Sequence, residues 1–124
     1  MDLKAQMGQF LAPEFSLAQL AERLYQAETD PDRVVMRQWI YGEEETCREL
    51  SRAQVNKRIK VVAARLQQVA DPGTRVAILA GNSPEYVFGF VGALYAGMVP
   101  IPLYDPNEPG HADHLAAVFG DCEP

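Results

Sequence analysis

The sequence predicts an α/β fold: an N-terminal β-hairpin and helix followed by a parallel βαβ unit. Three observations carry that expectation. "RVVMRQWIY", "GEEE" and "ETCRE" read as strand, turn and return strand. The stretch from Ser51 has a capped start and apolar residues at helical spacing. "RVAILAGNSPEYVFGFVGALYAGMVPIPLYDP" then packs strand, helix and strand into about 28 residues, the length of a right-handed βαβ crossover.

Taken in order, residues 1–15 carry weak signals and are expected to form an irregular or loosely docked arm. Ser16 can cap a helix running to about Ala27, with Leu17, Leu20, Ala21 and Leu24 on one face. "ETDPD" breaks it. After the hairpin, Ser51 and Gln54 form the capping-box pattern. Val55, Ile59, Val62, Ala63 and Leu66 make the buried stripe of that helix, and "ADPGT" ends it.

Arg75–Ala80 is a continuous run suited to a buried parallel strand. Ser83 is placed to cap the next helix, with Pro84 at its first position, where a missing N–H costs nothing. Gly97 is expected to end the helix in the left-handed conformation. That helix is apolar on nearly every face, which predicts burial all round. Gly89, Gly92, Ala93 and Ala96 form a stripe of small residues along it. Each interior glycine costs up to about 1 kcal/mol relative to alanine, tolerable where another backbone comes close. Met98–Leu103 is the second strand. Pro100 and Pro102 lack N–H groups on one side, so regular pairing is expected on the other. "YDPNEPG" is a loop, and His111 to about Gly120 a last helix.

Composition narrows the function classes. The chain has 124 residues, 48% of them hydrophobic and 23% charged, which suits one globular domain. A formal charge of -6 argues against nucleic acid as the main partner. No apolar run reaches membrane-span length and the N-terminus has no signal pattern, so a cytoplasmic location is expected. Cys47 and Cys122 fit no metal or redox spacing and read as unpaired thiols. Lys57, Arg58 and Lys60, with Arg52 and Arg65, read as a solvated helix face.

Candidate chemistry is sparse. The turn at Gly81–Glu85 is a strand-to-helix junction, the kind of place where helix N–H groups bind phosphate. Here it lacks further glycines, Pro84 removes a donor and Glu85 would repel an anion, so capping is the preferred reading. His111 and His114, flanking Asp113, share a helix face, but the sequence places no third metal ligand beside them. Glu43–Glu45 is a solvated hairpin tip. No nucleophile elbow or Ser-His-Asp arrangement is present. The residues themselves assign no catalytic, cofactor-binding or metal-binding position.

The motifs "PGTRVAIL", "NSPEYV", "ALYAGMVPIPL" and "PGHADHL…DCEP" stand in an order and spacing that resemble the start of an adenylate-forming enzyme. That superfamily includes acyl-CoA synthetases, fatty-acyl-AMP ligases and peptide-synthetase adenylation domains. "YDPNEPGH" and the last motif are most similar to fatty-acyl-AMP ligases, above all the long-chain type of mycolic-acid synthesis. The resemblance covers residues 31–124, which reads as a partial N-terminal subdomain, with residues 1–30 as an arm and helix. It implies ATP-dependent, magnesium-assisted conversion of a fatty acid to acyl-AMP, then transfer to the thiol of an acyl-carrier or polyketide synthase protein. It places the phosphate loop, the adenine and ribose motifs and the lid lysine beyond residue 124, so the chain alone is expected to be inactive.

Three readings remain open on the sequence: a fragment of a fatty-acyl-AMP ligase or acyl-CoA synthetase, a non-catalytic α/β interaction module, and an independent small binding domain. Coding sequence running past Pro124 into a phosphate-loop motif separates the first two. Stabilisation by nucleotide or metal marks the third. A sheet edge left uncovered predicts association, most simply a homodimer.

Overall fold

The structure is a computed structural model and describes residues 16–27, 30–103, 107 and 111–124. The expected N-terminal arm and most of the "YDPNEPG" loop lie outside the described residues. The elements run α1 (Leu17–Ala27), β1 (Val34–Ile40), β2 (Thr46–Ser51), α2 (Arg52–Val69), β3 (Arg75–Ile78), α3 (Pro84–Tyr95), β4 (Val99–Pro102) and α4 (His111–Cys122). β1 and β2 form the antiparallel hairpin, and β3 and β4 a parallel pair joined through α3.

Both early helices start as their sequences require. In α1 the Ser16 hydroxyl accepts the Gln19 N–H at 3.1 Å, and the Gln19 side chain accepts the Ser16 N–H at 3.0 Å. Ser51 and Gln54 make the same reciprocal pair at the start of α2, at 3.2 and 2.8 Å. Ser51 is also the last residue of β2, so hairpin and helix meet with no linker. Two first-turn N–H groups of α2, those of Arg52 and Ala53, donate to the carbonyls of Arg33 and Pro31 just ahead of β1. The hairpin thus satisfies donors that the helix cannot.

The end of α3 is a Schellman arrangement. Met98 N–H reaches the Ala93 carbonyl at 2.9 Å and Gly97 N–H the Leu94 carbonyl at 3.1 Å. Gly97 has φ +77, the left-handed region where a Cβ is strained. Because Met98 closes this cap, β4 starts one residue later than expected. It pairs with β3 in the register Arg75↔Val99 to Ile78↔Pro102. Val99 and Leu103 donate to Thr74 and Ile78, so the donor-bearing side of β4 faces β3. Pro100 and Pro102 turn their missing donors to the other edge, as expected.

Two expectations need correction. β3 ends at Ile78 rather than Ala80, and Leu79 beyond it is 43% exposed. A strand with one paired neighbour and one covered face is not buried throughout. Nor is α3 buried all round: Pro84, Phe88, Gly92, Ala93 and Ala96 are buried, while Val87, Phe90, Val91 and Leu94 are half-buried. Its neighbours α2 and β3–β4 cover only part of its circumference.

The core lies along the α2–α3 contact in two patches. Leu50, Ile59 and Phe88 form one, with Met36, Val55, Val62 and Val91 against it. Ala63, Ala93, Ala96 and Met98 form the other, with Leu66 and Val76 against it. Tyr95 touches both. The glycines of α3 divide between neighbours. A Cβ on Gly92 would stand 2.7 Å from Val62 Cγ1, 2.9 Å from Val62 Cβ and 3.2 Å from the Ile59 carbonyl of α2. A Cβ on Gly89 would meet Ile78 at an ordinary 3.5 Å.

The two glycines should therefore respond oppositely. Gly92→Ala forces helices apart and should cost about 1–3 kcal/mol, and Gly92→Leu more. Gly89→Ala should be neutral or stabilise by up to about 1 kcal/mol through helix propensity. Urea unfolding of the variants checks this, and a Gly92→Leu variant as stable as the parent would refute the close-contact role.

Candidate functional site

The β3–α3 junction is the position where an α/β fold would place a ligand, and its geometry is well defined. Ser83 sits at the N-cap with φ -146 and ψ 163, but its side chain caps no helix N–H. The hydroxyl donates instead to the Gly81 carbonyl at 3.5 Å. This corrects the expectation of a Ser83 side-chain cap. Pro84, at the first helical position, is buried. Glu85 follows in the first turn, as acidic residues favour.

Sequence patterning missed the partner of Glu85. Arg48 of β2 lies opposite Gln38, on the hairpin face that also carries Met36 and the buried Leu50. Its Nη1 meets Glu85 Oε1 at 2.6 Å. The Arg48 hydrogen bond lowers the Glu85 pKa most, the residue's own backbone N–H next, and burial opposes both. The helix N-terminus therefore already faces a carboxylate held ionised by a guanidinium. Beside it, a cleft of about 410 Å³ runs between the hairpin (Met36, Gln38, Trp39, Tyr41) and the junction (Asn82–Pro84, Val87).

The remaining candidates are scattered. Glu43–Glu45 are exposed in the hairpin loop. His114 is exposed on α4, and the side chain of His111 lies outside the described residues. Among the described residues no group of three or more His, Cys, Asp or Glu side chains could hold a metal. Cys47 and Cys122 are free and half-buried. The Cys122 carbonyl accepts from Arg75 Nη1 at 3.0 Å, tying the end of α4 to the start of β3.

The basic residues of α2 need a further correction. Lys57, Arg58 and Arg65 are exposed, but Arg52 and Lys60 are not idle surface charges. Arg52 donates to the Tyr25 and Asp30 carbonyls and lies 4.2 Å from the Tyr25 ring centroid. Lys60 pairs with Glu22 at 3.0 Å. Both hold α1.

The model of the AMP-binding enzyme family matches residues 24–124. The chain belongs to the AMP-binding enzyme family. It is 53% identical over 77 residues to the long-chain-fatty-acid–AMP ligase FadD32 of Mycolicibacterium smegmatis, covering 62% of this chain and 12% of that protein. It is 41% identical over 75 residues to the long-chain-fatty-acid–AMP ligase FadD26 of Mycobacterium tuberculosis, covering 60% and 13%. In fold it is similar to the fatty acid AMP ligase of Legionella pneumophila, with TM-score 0.71 and 23% identity over 94% of this chain and 19% of that one. The N-terminal subdomain of Klebsiella oxytoca NpsA aligns with TM-score 0.65 and 23% identity, over 85% of this chain and 25% of that one. The chain is an N-terminal portion of the family's domain.

The described residues do not by themselves fit ATP or magnesium. Glu85 puts a carboxylate in the first turn of α3, where it would repel a phosphate, and the described residues assemble no metal ligand set. The junction is built to join hairpin and βαβ unit.

The Arg48–Glu85 tie has a pH signature. A carboxyl whose folded pKa is depressed stabilises above its unfolded pKa and loses that contribution as pH falls through the folded value. Glu85→Gln should therefore lower Tm relative to the parent at neutral pH. The two melting curves should converge as the pH falls through the lowered folded pKa of Glu85. The gap should narrow in the Arg48→Met background, leaving the smaller part owed to the backbone N–H and the helix N-terminus. A gap that persists in acid would refute the tie.

Proposed function

We propose that this chain is the N-terminal scaffold of a fatty-acyl-AMP ligase that uses ATP and magnesium to convert a long-chain fatty acid to its acyl-adenylate. The acyl group then passes to the thiol of a carrier or polyketide synthase protein, in the cytoplasm and in mycolic-acid synthesis. The observation that carries this reading is the 53% identity to a long-chain-fatty-acid–AMP ligase. The reading divides the chain into an arm and helix at 1–30 and a partial subdomain at 31–124. It assigns no catalytic, nucleotide-binding or metal-binding residue to this segment. What the segment contributes is a rigid hairpin and βαβ unit against which the rest of the enzyme packs. Among the described residues, no helix is long and apolar enough to cross a membrane.

Replacing the matching segment of the Mycolicibacterium smegmatis ligase with residues 31–124 tests this. The chimera should form acyl-AMP from ATP and a long-chain fatty acid, while the 124-residue chain alone should release no pyrophosphate. A folded chimera without acyl-AMP formation, or pyrophosphate release by the chain alone, would overturn the reading.

Taken alone, the chain should also associate through the free edge of β3, because the outer edge of β4 lacks the N–H groups of Pro100 and Pro102. Sedimentation equilibrium should show a homodimer at high concentration. A clean monomer there would argue against edge pairing.

A further inference from the structure

Helix α1 has no buried residue, and its apolar Leu17 and Leu24 are 61% and 64% exposed. An isolated helix of this length is marginal in water, so docking must hold it. Leu20, Ala21 and Tyr25 are half-buried, so apolar contact supplies part of that docking. Two cations of α2 make polar contacts with α1. Arg52 donates to the Tyr25 carbonyl in the last turn of α1 and, at 3.2 Å, to the Asp30 carbonyl beyond it. Its guanidinium covers the Tyr25 ring, with the Lys60 ammonium 5.9 Å from the same ring centroid. Lys60 Nζ also meets Glu22 Oε1 at 3.0 Å. The other oxygen, Oε2, is buried with no hydrogen-bond partner among the described residues.

The placement of Arg52 is informative. It stands at the first position of α2, where the helix dipole disfavours a cation. The same guanidinium lies at the C-terminal end of α1, where the dipole favours one. Position and partners agree only while α1 is docked. A cleft of about 320 Å³ lies between α1 (Ala21, Leu24, Tyr25) and the α2–α3 surface that includes Val55, Ile59, Val91 and Tyr95. Burial, followed by the nearby Glu22 carboxylate, raises the Tyr95 pKa, which fits a phenol lying under the strap.

We propose that α1 is a detachable strap, latched by Lys60–Glu22 and by Arg52 on the end of α1, which lifts off the α2–α3 surface without unfolding the hairpin or the βαβ unit. The Lys60–Glu22 part of the latch is a partly solvated ion pair, so salt weakens it. Docking governed by apolar contact would not be weakened by salt in this way.

Amide hydrogen exchange of the 124-residue chain tests this, with α2 and α3 as internal references. In the parent, α1 amides should exchange at least about tenfold faster than those of α2, as a separate opening unit. Raising NaCl from about 0.05 M to about 0.5 M should speed exchange in α1 several-fold and leave α2 unchanged. Lys60→Met leaves the half-buried Glu22 without its cation and should speed α1 exchange about threefold at low salt. Equal protection of α1 and α2, slower or unchanged α1 exchange at high salt, or no effect of Lys60→Met would each overturn the strap.

Discussion

The close passage of α3 over α2 at Gly92 sets the rest of the arrangement. With no side chain there, the two helices come near enough for Val62 and the Ile59 carbonyl to fill the space a Cβ would need. Both core patches lie along this contact, one toward the hairpin and one toward β4. Interiors pack at near-crystalline density, so a displacement here cannot be absorbed locally. The hairpin follows α2 because Ser51 belongs to both and the α2 N-terminus bonds to the chain just before β1. The parallel pair follows α3 through the Schellman turn at Gly97.

Charge serves the same purpose at three joints. Arg48 with Glu85 joins hairpin to α3, Arg75 joins β3 to the end of α4, and Arg52 with Lys60 joins α2 to α1. Each is at least partly solvated, where a single ion pair contributes little. Their effect is on relative placement more than on total stability. The strand-to-helix junction, which in other α/β proteins receives an anionic ligand, here carries the protein's own carboxylate.

The features legible in the sequence were those determined within a few residues. Ser16–Gln19 and Ser51–Gln54 are reciprocal caps whose partners lie three apart. Gly97 answers a local need for positive φ. Pro100 and Pro102 dictate which edge of β4 can donate. The features that were not legible join distant segments. Nothing near Arg48 announces Glu85, 37 residues on. The stripe of small residues in α3 was visible, but not that Gly92 meets α2 while Gly89 meets β3. Arg52 and Lys60 looked like solvated charge because periodicity shows a face and not what lies over it. Ser83 had the right residue type and backbone for a cap, yet its hydroxyl turned back to Gly81.

By itself the sequence determined the order of elements, the start of both early helices, the left-handed end of α3 and the parallel pairing side of β4. Its motifs, in order along one continuous stretch, also pointed to the family that the match over residues 24–124 shows. Tertiary structure alone decided which face of each element is covered, where the strands stop and which charges meet. Local backbone preferences are encoded in neighbouring residues, whereas burial and ion pairing depend on what the fold brings across the gap.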